Sequence, residues 1–93
     1  MIYKIIVEPE ALSDLKAIHA YITEQDSNSK ANKFILELKK AIESLSSMPM
    51  RCRSSLYIDD ETIRDLIYKK YTIVFQVKEK TVHILTIFRQ RSY

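Results

Sequence analysis

Two amphipathic segments, separated by a short polar break, constrain the fold of this 93-residue chain more than any other feature. Apolar residues recur at helical spacing between about Glu10 and Glu24 and again from about Lys30 to Ser46. The break at residues 25–29, QDSNS, is rich in turn and N-cap residues, so we expect an antiparallel helical hairpin. Such a hairpin cannot bury two apolar stripes by itself and needs a sheet to pack against.

Four runs of strand-forming residues can supply that sheet. One run precedes the helices and three follow them, and the connections between the last three are lysine-rich and of hairpin length. The runs are Met1–Val7, Thr62–Tyr68, Tyr71–Val77 and Thr81–Arg89.

Together these elements predict an α+β fold with the order β-α-α-β-β-β, in one domain over residues 1–93. The N-terminal strand and the helical hairpin pack with a small, mainly antiparallel sheet. Pro49 ends the second helix, since the residue before proline avoids the helical region. The segment that follows is predicted to be irregular, with a brief extended piece at Leu56–Ile58. Alternation places Tyr71, Ile73, Phe75 and Val77 on one sheet face and makes Arg64, Thr72, Gln76 and Arg89 candidates for the other.

Basic residues are concentrated in the second half of the chain. Residues 1–50 carry six lysines and seven acidic residues, a net charge of −1, and residues 51–93 carry nine basic and five acidic residues, a net charge of +4. All five arginines lie between Arg51 and Arg91. Such a half suits an anionic partner, nucleic acid or an acidic protein, and an ordinary solvated surface is the competing interpretation.

Composition disfavours several classes of site. The chain has no glycine, which excludes the glycine-rich loops that hold nucleotide phosphates. Two isolated histidines and one cysteine offer no metal-ligand spacing, so we expect neither a metal nor another cofactor. No apolar run approaches the roughly 18 residues that cross a membrane. The single cysteine and the lack of a signal-peptide pattern predict a cytoplasmic protein.

Three stretches resemble the RelE/ParE superfamily of toxins from bacterial type II toxin–antitoxin modules. The first helix carries A-x-x-D-L-x-x-I-x-x-Y-I at residues 11–22. Residues 63–77 carry I-R-D-L followed by Y-x-I-V-F-x-V, and residues 82–91 carry V-x-I-L-x-I-F-R-Q-R. These resemble the first helix, the central hairpin and the last strand with its basic tail, and they cover nearly the whole chain.

The resemblance implies a toxin neutralised by a cognate antitoxin, and it leaves two targets open. ParE-like members of the superfamily are associated with poisoning DNA gyrase, whereas RelE-like members cut mRNA in the ribosome. The long paired helices and the arginine of the central hairpin are more similar to the ParE-like side. Arg89 stands where many relatives have a histidine, so no role is carried over from that histidine.

A ribonuclease would need a base, an acid and cations around the phosphate, without a metal. For that alternative the candidate catalytic residues are Arg64, Arg89, Arg91 and Tyr93, with Tyr71 as a further acid or stacking surface. Lys69 or Lys70 would serve as a base only with a strongly lowered pKa. Structural roles are favoured for both His19 and His83.

Contacts with an antitoxin, nucleic acid or target are assigned to Arg51, Arg53, Lys69, Lys70 and Tyr71. Solvated loop charges and packing tyrosines are the simpler interpretation of the same residues. Cys52 is interpreted as a passive side chain, although its two arginine neighbours are expected to lower its pKa.

The favoured hypothesis is a ParE-like toxin that inhibits DNA gyrase by protein contact. The first alternative is a ribosome-dependent mRNA endonuclease, and the second is a non-toxic member that only binds an antitoxin. Every version implies a cognate antitoxin encoded by a neighbouring gene, with neither a small-molecule cofactor nor a membrane as partner.

Overall fold

The computed structural model of the chain describes residues 2–56 and 58–89. Its elements follow the predicted order, with a short additional strand before the last three. They are β1 (Lys4–Val7), α1 (Pro9–Gln25), α2 (Asn28–Glu43), β2 (Arg53–Ser54), β3 (Ile63–Tyr68), β4 (Tyr71–Lys78) and β5 (Thr81–Arg89). Two short 3-10 helices, Ser44–Ser46 and Pro49–Arg51, lie between α2 and β2.

The helices begin where local chemistry favours it. Pro9 occupies the first turn of α1, where its missing N–H removes no helical hydrogen bond. The hydroxyl of Ser27 accepts a hydrogen bond from the Lys30 N–H at 3.1 Å and caps the start of α2. α2 ends at Glu43, earlier than predicted, because the chain tightens into a 3-10 helix there. No helix in the described part of the chain is long and apolar enough to cross a membrane.

The strands form one mixed sheet in the order β1-β5-β4-β3-β2. β1 pairs with β5 in parallel, with Lys4 opposite Thr81, and the other neighbours are antiparallel. The predicted α+β fold, a helical hairpin on a mainly antiparallel sheet with an N-terminal strand, is therefore confirmed.

The extended piece predicted at Leu56–Ile58 is wrong for Leu56 and Ile58, which are not in a strand, and Tyr57 lies outside the described residues. The short strand lies earlier, at Arg53–Ser54, and pairs with β3 so that Arg53 faces Asp65. Leu56 is 70% exposed. The position of β2 is decided by its pairing with β3, which apolar composition does not show.

Both helices pack on one face of the sheet. The β4 residues Tyr71, Ile73 and Phe75 belong to this core, as their alternation predicts. The other buried members are Ala11, Leu15, Ile18, Leu38, Ile42, Leu45, Val82, Ile84 and Ile87.

Two arginines lie on the helix side of the sheet rather than on its other face. Arg64 is opposite Phe75 and Arg89 is opposite Tyr71, and directly paired residues project to the same side. Both arginines stand at the margins of the core, since Arg64 is half-buried and Arg89 is exposed at the end of β5. Thr72 does project to the other face, but it is fully buried rather than open.

A carboxylate from α1 completes the outer edge of β5. β5 has a bulge in which Leu85 is the extra residue, and β1 does not extend beyond Ile84. The Asp14 Oδ2 accepts from the Ile87 N–H at 2.9 Å and from the Thr86 hydroxyl at 2.8 Å. Asp14 of the first helical motif therefore has a structural role, since it satisfies an edge N–H of the sheet.

Both hairpin turns adopt left-handed backbone without glycine. Lys69 has φ 55° and Glu79 has φ 56°, each at the first position of a two-residue loop. Two-residue hairpin loops require such conformations, and glycine adopts them at the lowest cost.

Candidate functional site

The end of β5 and the start of β4 form one corner of the sheet. Arg89 lies opposite Tyr71, and its guanidinium Nη1 donates to the hydroxyl of Tyr21 on α1 at 3.3 Å. We call Tyr21, Tyr71 and Arg89 the arginine corner. Arg89 is exposed there, so the corner presents a cation held by a neutral hydroxyl.

Tyr71 is the buried member of the corner. Its side chain is 8% exposed, and its ring centroid lies 5.3 Å from that of Phe34. Burial is the main cause that raises the pKa of Tyr71, and the charge of Arg89 acts in the opposite direction. The expected roles of Tyr71 as a partner contact or stacking surface do not fit this position, because a core ring offers no free face.

The turn between β3 and β4 is tied to α2 by a second group, which we call the lysine cluster: Phe34, Glu37, Tyr68 and Lys69. Glu37 Oε1 accepts from the Tyr68 hydroxyl at 2.6 Å and from the Lys69 Nζ at 3.0 Å. The same Nζ lies 5.6 Å from the ring centroids of both Phe34 and Tyr68. These contacts use the charge of Lys69 within the protein.

The electrostatics of the lysine cluster stabilise its ionised pair. The hydrogen bond from Tyr68, followed by the one from Lys69, lowers the pKa of Glu37. The hydrogen bond to Glu37 raises the pKa of Lys69. A general base would need the opposite shift, so Lys69 is unsuited to that role. Lys70, the next residue of the turn, is exposed.

The three arginines of the central segment also have internal partners. Arg51 Nη1 donates to the carbonyl oxygen of Ser47 at 2.8 Å. Arg53 Nη2 lies 3.7 Å from Oδ2 of the buried Asp65. Arg64 Nη1 donates to the Cys52 carbonyl oxygen at 3.2 Å. These contacts give the binding candidates Arg51 and Arg53 structural roles, although both side chains remain partly exposed.

Cys52 differs from its expected electrostatic state. Burial raises the pKa of the Cys52 thiol, and this effect exceeds the opposing charges of Arg51 and Arg64. The expectation of a lowered pKa is therefore wrong, because the side chain packs against the core. A thiol in this state is a poor nucleophile at neutral pH.

Each histidine is bonded to a neighbour away from the arginine corner. His19 Nε2 lies 2.7 Å from the Asn32 Oδ1. His83 Nδ1 lies 3.3 Å from the Glu8 Oε1 and joins β5 to the residue before α1. The structural interpretation of both histidines agrees with this geometry.

The predicted catalytic arginines are not brought to one point. Arg64 and Arg89 are two strands apart and offset by four residues along the sheet, which places their backbones roughly 16 Å apart. Each guanidinium donates to its own neighbour. The other two catalytic candidates, Arg91 and Tyr93, lie outside the described residues.

Two residues of this end of the molecule were not singled out from the sequence as site residues. Tyr21 belongs to the apolar stripe of α1, and only its phenol distinguishes it from a packing residue. Glu37 lies on α2, and its contact with Lys69 crosses from helix to sheet. No local pattern indicates that contact, since it depends on the packing of the two elements.

Within residues 2–56 and 58–89, no three His, Cys, Asp or Glu side chains are grouped so that they could hold a metal ion. The arginine corner offers a guanidinium, a partly exposed phenol and a buried phenol. Such groups bind and orient an anion.

The family of the chain follows from comparison with known proteins. The family model described as the ParE toxin of the type II toxin–antitoxin system parDE matches residues 5–92. No curated protein sequence matches significantly.

Solved structures share the fold. The chromosomal ParDE system of P. aeruginosa matches with a TM-score of 0.84 and 21% identity, over 97% of this chain and 98% of that chain. The toxin–antitoxin complex RelBE2 of Mycobacterium tuberculosis matches with a TM-score of 0.74 and 15% identity, over 99% and 95% of the two chains. A mutant of the E. coli toxin RelE in the free state matches with a TM-score of 0.64 and 17% identity, over 96% and 84%.

These structural likenesses show the fold, and the family model decides between relatives of that fold. Since the model spans nearly the whole sequence, from β1 to the residues after β5, the chain belongs to the ParE toxin family of type II toxin–antitoxin systems.

Proposed function

We propose that this toxin inhibits DNA gyrase by protein contact, without an active site of its own, and that a cognate antitoxin neutralises it. The observation that carries the proposal is the separation of Arg64 from Arg89, each with its own internal partner. Membership of the ParE toxin family supports the same target.

The chemistry of RNA cleavage fits the described residues less well. Attack by a 2′-hydroxyl requires a base, an acid and cations arranged around one phosphate. The described neighbours of Arg89 at the corner are Tyr21 and Tyr71, and the pKa of Tyr71 is raised by burial. A phenol whose pKa is raised is a weaker proton donor, so Tyr71 suits the predicted role of acid less well. Binding of a partner through a fixed guanidinium requires neither a base nor an acid beside it.

An antitoxin partner is supported by the exposed apolar surface as well as by the family. Ile2, Leu36, Met48 and Leu56 are each more than half exposed. Exposed apolar side chains, in a chain whose second half is basic, suit an acidic, amphipathic segment that folds when it binds. The matched P. aeruginosa and M. tuberculosis structures are a ParDE system and a toxin–antitoxin complex.

The test of the target uses the purified protein in two assays. Supercoiling by purified gyrase should be inhibited, whereas an mRNA translated in a purified cell-free system should remain uncut by primer extension. Ribosome-dependent cuts with unaffected gyrase would replace the proposal with the endonuclease function. Absence of both effects, with antitoxin binding retained, would identify a non-toxic family member.

The test of the antitoxin is isothermal titration with the product of the neighbouring gene. We expect a measurable heat of binding and co-purification of the two proteins from cells that express both. A protein that neither releases heat nor co-purifies would not be the antitoxin.

A further inference from the structure

Tyr21 stays at the surface although its neighbours on α1 enter the core. Ile18 is 8% exposed and Ile22 packs against the core, whereas Tyr21 is 46% exposed. Burial of a large aromatic ring is favourable, so packing alone does not account for this placement. The hydroxyl of Tyr21 accepts the hydrogen bond from Arg89, which gives the exposed ring a specific contact.

Among residues 2–56 and 58–89, that contact leaves the charge of Arg89 without a counter-charge. A guanidinium has five N–H donors in a rigid plane, and a phenol hydroxyl is a neutral acceptor. In the described part of the chain no carboxylate bonds to Arg89, whereas Lys69 and Arg53 each pair with an acidic side chain. Tyr21 therefore sets the direction of the guanidinium and leaves its remaining donors to an external anion.

The surroundings favour a protein carboxylate over the phosphates of a nucleic acid. Nucleic-acid surfaces combine several phosphate-contacting cations with exposed rings on which bases stack. At this end of the described sheet, Tyr71 is buried and Lys69 is bonded to Glu37, so the exposed groups that remain with Arg89 are one lysine, Lys70, and one ring, that of Tyr21. A carboxylate needs only one guanidinium, which can donate two parallel hydrogen bonds to it.

We propose that Tyr21 is a positioning residue for Arg89 and that the pair forms the docking point for an aspartate or glutamate side chain of gyrase. The inference rests on the proposed function and adds to it the residue that contacts the target and the residue that holds it. Tyr21 acts only through Arg89, so the two side chains must be energetically coupled.

The experiment measures gyrase affinity and gyrase inhibition for Arg89→Ala, Tyr21→Phe and the double variant. Arg89→Ala should weaken binding roughly 10- to 100-fold, as expected for loss of hydrogen bonds from a charged group. Tyr21→Phe should weaken it roughly threefold, the loss of one neutral acceptor. The double variant should be no weaker than Arg89→Ala. Tyr3→Phe removes a tyrosine hydroxyl outside the corner and is the matched control, with unchanged affinity.

A second readout does not depend on gyrase. In the free protein, rotation of the Arg89 guanidinium, followed by ¹⁵N NMR, should be slower in the wild type than in Tyr21→Phe, at the same unfolding midpoint. Equal rotation in both proteins would overturn the positioning role.

The outcomes separate this inference from the proposed function. A wild-type protein without effect on gyrase would refute the proposed function and the docking partner, while the NMR comparison would still decide the positioning role. Normal inhibition by Arg89→Ala would refute the docking point alone. An equal loss from Tyr21→Phe in the wild-type and Arg89→Ala backgrounds would show that Tyr21 does not act through Arg89.

Discussion

Lys69 and Arg89 lie at the same end of the sheet, but they are held by opposite means. Lys69 is bonded to the carboxylate of Glu37 and lies over two aromatic rings, so its charge is used inside the protein. Arg89 is bonded to the neutral hydroxyl of Tyr21 and remains exposed. Sequence position and charge alone therefore do not identify a binding cation. The acceptor that holds the cation shows whether its charge is left for a partner.

The largest expected effect separates these two cations by function. Arg89→Ala should weaken gyrase inhibition roughly 10- to 100-fold with little change in stability, because its hydrogen bond to Tyr21 is exposed. Lys69→Ala should lower stability while inhibition changes less than about twofold. Inhibition assays and thermal unfolding of both variants would check this. Equal losses of inhibition would remove the distinction.

The next largest effect concerns Phe34, an aromatic member of the lysine cluster. Phe34 contacts the rings of Tyr68 and Tyr71, with centroids 6.1 Å and 5.3 Å away. Phe34→Ala should lower the free energy of unfolding by about 2–3 kcal/mol, less than for a fully buried phenylalanine because this one is half-buried. Chemical denaturation would measure it, with Leu36→Ala on the exposed side of the same helix as the control. A loss no greater than that of the control would contradict the role of Phe34.

A smaller expected effect is on how stability depends on pH, which should involve the partner of Lys69 and not that of Arg89. The pKa of Glu37 is lowered by Tyr68 and Lys69, so its contribution to stability is present above its ordinary pKa of 4.5 and is lost as pH falls through the folded value. In Glu37→Gln the free energy of unfolding should therefore change less with pH in the acid range. Tyr21→Phe should leave that pH dependence unchanged, since the hydroxyl of Tyr21 contacts Arg89 and not Glu37. If the free energy of unfolding changed equally with pH in the wild type and in Glu37→Gln, the expectation for Glu37 would be contradicted.

The smallest effect compares two turns with the same left-handed backbone. Glu79→Gly should raise the free energy of unfolding by about 0.5–1 kcal/mol, because glycine removes the Cβ clash at φ 56°. Lys69→Gly should gain less, because it also breaks the bond to Glu37. Lys80→Gly, next to Glu79 but outside the left-handed region, is the control and should not stabilise. Denaturation midpoints would rank the three variants.

Most of the fold could be predicted because its signals are local. The bounds of the last strand, Thr81–Arg89, are those observed, since alternating β-branched residues and a tight turn mark them. The parallel pairing of β1 with β5 could not be predicted with the same tools, because no local pattern records which distant strand lies beside an edge. The same limit explains why the strand at Arg53–Ser54 was not predicted, since it depends on pairing with β3.

The candidate site was less accessible to prediction. The alternation that groups Tyr71 with Ile73 and Phe75 indicates a core position, and the lysines beside Tyr71 do not change that position. The partners of Lys69 and Arg89 come from the two helices, at positions set by helix-to-sheet packing. That packing decides whether a basic residue has an acidic partner. The residues next to it in the sequence do not indicate the outcome.

The parallel pairing of β1 with β5 has a consequence for folding of the chain during its synthesis. β1 and the helical hairpin are synthesised first, and helical contacts form early because they are local. The partner of β1 is residues 81–84, and Arg89 lies at the end of that same strand. Chains grow from the N-terminus at about 5–20 residues per second. A growing chain therefore lacks both the pairing of β1 with β5 and its arginine corner until residue 89 has cleared the ribosome.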